Sequence, residues 1–121
     1  MEKTALPSGE IMKQISVKDL YPKWLSAKDG GEPCTIIDVR EVGEYIQSHV
    51  PNVALIVLNT VPNRSDEFPS KGEVYVICRS GGRSAQAIQF LEQNYGHQNL
   101  INVTGGTMAW MEANYPIEQG E

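Results

Sequence analysis

The stretch that most restricts how this chain folds is Val74-Tyr75-Val76-Ile77-Cys78-Arg79-Ser80-Gly81-Gly82-Arg83-Ser84, continued by Ala85-Gln86-Ala87-Ile88-Gln89-Phe90-Leu91. The β-branched and aromatic residues Val74–Ile77 predict a buried strand. Ala87, Ile88 and Leu91 share one face at helical spacing and predict a helix. A thiol, two glycines and two arginines lie between them. A glycine-rich turn entering a helix N-terminus aims several backbone N–H groups at one point, and the helix dipole adds positive potential there. Such surroundings favour a thiolate, so Cys78 reads as a reactive nucleophile.

The remaining composition narrows the setting. A chain of 121 residues, 40% hydrophobic, is expected to form one domain with one core. Its net charge of −5 does not suit a nucleic-acid binder. No apolar run approaches the roughly 20 residues of a membrane span. The N-terminus, Met1 to Pro7, has no apolar signal stretch, so a cytoplasmic protein is expected. Of the two cysteines, Cys34 enters an apolar strand and reads as a small buried hydrophobe. A disulfide is disfavoured in a reducing compartment. With His49 and His97 the cysteines show no ligand-like spacing, so no metal or other cofactor is expected.

Along the chain, residues 1–12 read as a flexible arm, 13–116 as the domain and 117–121 as a polar tail. Lys13-Gln14-Ile15 suggests a short edge strand. Ser16 with Asp19 resembles a helix start, and Val17, Leu20, Tyr21, Trp24 and Leu25 form a helical stripe. Pro22 predicts a break near Tyr21 or a helix that starts late. Thr35–Val39, Val53–Leu58 and Leu100–Val103 are further strands. Val42 to Gln47 is a short helix, Asn59 to Gly72 a loop or irregular helix, and Gly105-Gly106 opens a last helix through Met111. Short apolar strands alternating with helices imply an α/β fold, an about five-stranded, mostly parallel sheet with helices on both faces. Ligands of such folds sit at the carboxyl ends of strands. Cys78, Asp38-Val39-Arg40 and Thr104-Gly105-Gly106 all follow strand ends.

Three motifs carry a resemblance. They are Asp38-Val39-Arg40-Glu41 with Glu44-Tyr45 and His49; Cys78 through Ser84; and Val103-Thr104-Gly105-Gly106 with Ala109-Trp110. In this order and spacing, over about residues 14–114, the chain resembles a single-domain rhodanese, a sulfurtransferase. One segment departs from the family pattern: Ser48-His49-Val50-Pro51-Asn52-Val53-Ala54 lacks both glycines of the usual Gly-His-Ile-Pro-Gly-Ala.

The resemblance implies that the Cys78 thiolate takes the outer sulfur of a small anionic donor such as thiosulfate. A persulfide then passes that sulfur to cyanide, a thiol or a thioredoxin-like acceptor. Arg79, Ser80, Gly81, Gly82, Arg83 and Ser84 form the substrate-binding loop; Arg83 is the stronger candidate for the anionic donor, with bracing of the loop against an acidic side chain as its alternative, and Arg79 reads equally as a solvated loop charge. Asp38, Arg40 and Glu44 are expected to be structural ion pairs beside it.

Two other readings stand beside this one. Cysteine phosphatases and related arsenate reductases also set a Cys-to-Arg loop before a helix, but with one more residue between the two. Here Arg79, Ser80, Gly81 and Gly82 intervene, a ring better sized for a single sulfur. A non-catalytic docking module is the third reading, and the presence of Cys78 weighs against it.

Overall fold

Side-chain parity within the strands divides the core into two layers. A computed structural model describes residues 11–121. Its elements are β1 (Gln14–Ser16), α1 (Val17–Lys28), β2 (Thr35–Asp38), α2 (Val42–Gln47), β3 (Ala54–Leu55), two 3₁₀ segments (Leu58–Asn63 and Ser65–Glu67), β4 (Val74–Ile77), α3 (Gly82–Tyr95), β5 (Leu100–Thr104) and α4 (Gly106–Glu112). In β4, Val74 and Val76 point to one face while Tyr75 and Ile77 point to the other. The first pair packs with Ile37, Leu100 and the α3 residues Ala87, Ile88 and Leu91. The second packs with Ile36, Ile101, Val103, Leu20 and Trp24 of α1, and Trp110 of α4. A strand covered on both faces needs apolar residues at every position, and all four β4 residues are buried.

The five strands form one sheet in the order β1-β5-β4-β2-β3, with every pair parallel. The α/β expectation is met, with helices on both faces. Cys78 directly follows the central strand. The third apolar run pairs over only Ala54–Leu55, although Ile56 N–H still donates to the Asp38 carbonyl at 2.9 Å. No described helix is long and apolar enough to cross a membrane.

The expectation of a break near Tyr21 is corrected. α1 runs unbroken from Val17 to Lys28 with Pro22 inside it. Its N-cap is Ser16, whose hydroxyl accepts the Asp19 N–H at 3.1 Å. Pro22 leaves the Lys18 carbonyl without its helical donor, but both residues are exposed, so water can serve that oxygen. Burial of Val17, Leu20 and Trp24 on the opposite side holds the helix through the defect.

At the domain's limits, residues 1–10 of the expected arm lie outside the described residues, while Met12 is buried in the core. Residues 117–121 double back along α2. His49 and Glu118 exchange backbone hydrogen bonds, and Gly120 N–H donates to the Ile46 carbonyl. The departing segment keeps a left-handed backbone at Asn52 (φ +66°), a conformation asparagine tolerates well among non-glycine residues.

α4 is docked directly against the loop that follows β4. Thr107 N–H donates to the Cys78 carbonyl at 2.9 Å and Met108 N–H to the Arg79 carbonyl at 3.0 Å. Gly106 (φ +57°) permits this approach, because a Cβ there would overlap the carbonyls of Cys78 and Arg79. Gly106→Ala is therefore expected to lower stability by more than about 1 kcal/mol, read as a lower urea midpoint at unchanged slope. An unchanged midpoint would show that the loop and α4 are not held in this contact.

Candidate active site

Cys78 lies at the floor of the loop and is 1% exposed. The chain turns sharply at Gly81 (φ +116°), a conformation open to glycine, and enters α3 at Gly82. This turn brings the Gly81 N–H to 3.1 Å from the Cys78 sulfur. The Ser84 hydroxyl is 3.3 Å from the same atom. Burial pushes the thiol pKa up. The Ser84 hydroxyl and the backbone N–H groups of Ser84, Gly81 and Ser80 outweigh that cost and hold it below the ordinary value. Around the sulfur, Ser80, Gly82 and Arg79 are exposed. Cys34 lies at the opposite end of the sheet, next to β2, and burial raises its thiol pKa. Both cysteines are free.

The two arginines of the loop differ in their partners. Arg83 makes a bidentate pair with Glu44 of α2, Nη1 to Oε1 at 2.6 Å and Nη2 to Oε2 at 2.9 Å. Glu44 Oε1 also accepts the Glu41 N–H at 3.1 Å, closing a capping box at the start of α2. The Arg79 side chain has no ion pair among the described residues. It borders a cavity of about 560 Å³ with Arg40, Glu44, Thr107, Met108 and Met111.

Asp38 and Arg40 form a buried pair at the end of β2. Arg40 Nη2 donates to Asp38 Oδ2 at 2.8 Å, and Nε reaches both carboxylate oxygens at 3.0 and 3.1 Å. Arg40 also donates to the carbonyls of Ser48 and Glu44, so its guanidinium ties β2 to α2. The structure thus brings together Cys78 through Ser84 and, through Arg83, Glu44. Asp38 and Arg40 stand behind this wall. His49 stacks on Tyr45 and is buried beside Glu118, and Trp24 and Trp110 lie in the core. No cluster of potential metal ligands occurs among the described residues.

Sequence reasoning missed Asn102. It lies in β5 on the side of the sheet facing α3, its Oδ1 next to the Ser84 hydroxyl and its Nδ2 3.2 Å from the Gly81 carbonyl. The available signal was an amide in the middle of the apolar run Leu100-Ile101-Asn102-Val103. A buried strand carries such a group only where it finds hydrogen-bond partners.

The Arg83 guanidinium beside Glu44 holds that carboxyl at about 2, against an ordinary 4.5. A carboxylate favoured in the folded state stabilises it fully above the ordinary value, and the stabilisation is lost as pH falls from about 4.5 towards 2. Glu44→Gln is therefore expected to be less stable than the parent at neutral pH, by up to about 1 kcal/mol for a pair this exposed. The difference should shrink across that acid window. A difference in urea midpoints that is the same at neutral pH and near pH 2 would assign the loss to something other than the charge.

The family model for the rhodanese-like domain matches residues 21–113. A Bacillus subtilis (strain 168) protein with the provisional name sulfur carrier protein YrkF is 39% identical over 82 residues, covering 68% of this chain and 44% of that protein. The chain thus spans under half the length of that relative. A protein of Allochromatium vinosum named sulfurtransferase is 34% identical over 86 residues, covering 71% of this chain and 79% of its own length. Among solved structures, a rhodanese-like domain protein from Staphylococcus aureus is 35% identical with a TM-score of 0.73, covering 82% of this chain and 91% of that one. The family match, these relatives and the Cys78 loop at the end of a central parallel strand agree: the chain belongs to the rhodanese-like domain family.

Proposed function

We propose that this chain is a sulfurtransferase that carries a sulfane sulfur on Cys78 as a persulfide. The observation that carries the reading is the convergence of loop N–H groups and the Ser84 hydroxyl on one sulfur atom. In the first half-reaction the Cys78 thiolate attacks the outer sulfur of thiosulfate. A bond forms between the two sulfurs, the donor's sulfur–sulfur bond breaks, and sulfite leaves with its electron pair. The loop N–H groups then stabilise the anionic persulfide. In the second half-reaction an acceptor, cyanide or a thiolate, attacks the outer sulfur and restores the Cys78 thiolate. The proteins named sulfurtransferase and sulfur carrier support this class of chemistry.

Charge distribution supports different roles for the two arginines. Arg83 is neutralised by Glu44 and braces the loop, so Arg79 is the cation free to draw in an anionic donor. The cavity beside Arg79, with Met108 and Met111 on one side, suits a thiol acceptor, either a small molecule or the exposed cysteine of a thioredoxin-like partner. The reaction needs Cys78 as a free thiol, the form a reducing compartment such as the cytoplasm maintains.

Incubation with thiosulfate is expected to add the mass of one sulfur atom to the intact protein. Cyanide should remove it, and Cys78→Ser should not acquire it. No adduct with thiosulfate, polysulfide or a persulfidated thiol would refute the reading, whereas Cys78-dependent hydrolysis of an aryl phosphate would favour phosphatase chemistry. A second expectation separates the arginines. Arg79→Ala should raise KM for thiosulfate about tenfold, the effect of losing one charge-assisted contact of about 1.4 kcal/mol, with little change for an uncharged sulfur donor. Arg83→Ala should depress turnover of both donors alike. Steady-state kinetics with the two donors would show the roles reversed if Arg83→Ala alone discriminated between them.

A further inference from the structure

We propose that Asn102 is a positioning residue that governs the protonation of Cys78 through the single hydroxyl proton of Ser84. The inference concerns the nucleophile before any donor arrives, so it stands apart from the sulfur-transfer reading.

Donors and acceptors around Ser84 are unequal in number. Ser84 is fully buried, and its Oγ lies 3.3 Å from Cys78 Sγ, 3.1 Å from the Gly81 carbonyl and 2.5 Å from Asn102 Oδ1. A serine hydroxyl has one proton to give. The Gly81 carbonyl already accepts from Ala85 N–H at 3.3 Å and from Asn102 Nδ2 at 3.2 Å. The proton is therefore contested between Cys78 Sγ and Asn102 Oδ1. Among the described residues, Asn102 Oδ1 has no other donor.

Each protonation state of Cys78 selects one arrangement. With a neutral thiol, Cys78 S–H donates to Ser84 Oγ, Ser84 donates to Asn102 Oδ1, and Asn102 Nδ2 donates to the Gly81 carbonyl. Every group in this chain is satisfied. With a thiolate, the Ser84 proton must turn to the sulfur. Asn102 Oδ1 is then left buried against an oxygen that no longer donates to it, an arrangement that carries a desolvation cost. Rotating the amide does not remove that cost, because it would place Oδ1 against the Gly81 carbonyl. Asn102 thus favours the thiol and offsets part of the stabilisation that the loop N–H groups give the thiolate.

Among the described residues, no charged group is hydrogen-bonded to the sulfur or to the Asn102 side chain. The charges near the sulfur are Arg79 on the loop, Arg83 on α3 paired with Glu44 of α2, and Arg40 paired with Asp38 at the end of β2. β5 contributes no titratable side chain, and the only one on α4 is Glu112, at its far end.

The test follows the pH dependence of Cys78 alkylation by iodoacetamide, in a Cys34→Ser background that leaves one thiol. Asn102→Val removes the competing acceptor and suits a buried strand. It is expected to lower the alkylation midpoint by about one pH unit, roughly a tenfold gain in thiolate at acidic pH. In a Ser84→Ala background the same substitution should leave the midpoint unchanged, because the hydroxyl that links the two residues is gone. An unmoved or raised midpoint with Ser84 present overturns the proposal, and so does an equal shift in both backgrounds. A measurement on the unmutated asparagine covers misfolding of the valine variant. The Asn102 side-chain carbonyl ¹³C resonance should titrate with the Cys78 midpoint and lose that step in Cys78→Ser. A flat trace overturns the proposal. None of these readouts uses a sulfur donor, so failure here is distinct from failure of the sulfur-transfer reading.

Discussion

The site depends on two backbone hydrogen bonds, from Thr107 N–H to the Cys78 carbonyl and from Met108 N–H to the Arg79 carbonyl. A trans peptide is planar and sets its C=O and N–H on opposite sides. Holding the Arg79 carbonyl toward α4 therefore turns the Ser80 N–H the other way, toward the sulfur. The same contact gives partners to two N–H groups in the first turn of α4 that lack helical ones. Anion cradle and helix cap are one arrangement, and it is available only because Gly106 has no side chain to keep the two backbones apart.

Charge, rather than burial, holds the wall facing that contact. No residue of α2 is buried, so hydrophobic packing does little to fix it. It is tied instead by Arg40 to the Glu44 and Ser48 carbonyls, by the Arg83–Glu44 pair, and by backbone hydrogen bonds from residues 118 and 120 to His49 and Ile46. The Asp38–Arg40 pair behind it is buried, and such a pair becomes costly if either member is lost. The site thus has one rigid side formed by the sheet, α3 and α4, and one side whose position depends on ion pairs.

Much of this was legible in the residues. The alternation of buried strands and helices, the extent of α2 and the turn from β4 into α3 follow from local patterning, and each agrees with the structure. Pro22 misled because the local rule against proline in a helix competes with burial of Leu20 and Trp24, which only the packed domain supplies. Asn102 was passed over for a related reason. Its partners Ser84 and Gly81 are distant in sequence and meet it only when β5 lies beside β4 under the first turn of α3.

By itself, then, the sequence determined the class of fold, the place of Cys78 at a strand end and the number of residues from it to Arg83, because strand periodicity, glycine spacing and the distance from Cys78 to Arg83 are local quantities. The tertiary structure alone decided which arginine is neutralised. The sequence favours Arg83 over Arg79 as the anion binder, and nothing local pairs Glu44 with a residue in another helix. The same is true of the Ser84 proton, whose acceptors come from the loop and from β5. Electrostatics and hydrogen bonding act through space over a few ångströms, and the chain brings these groups within that range only by folding.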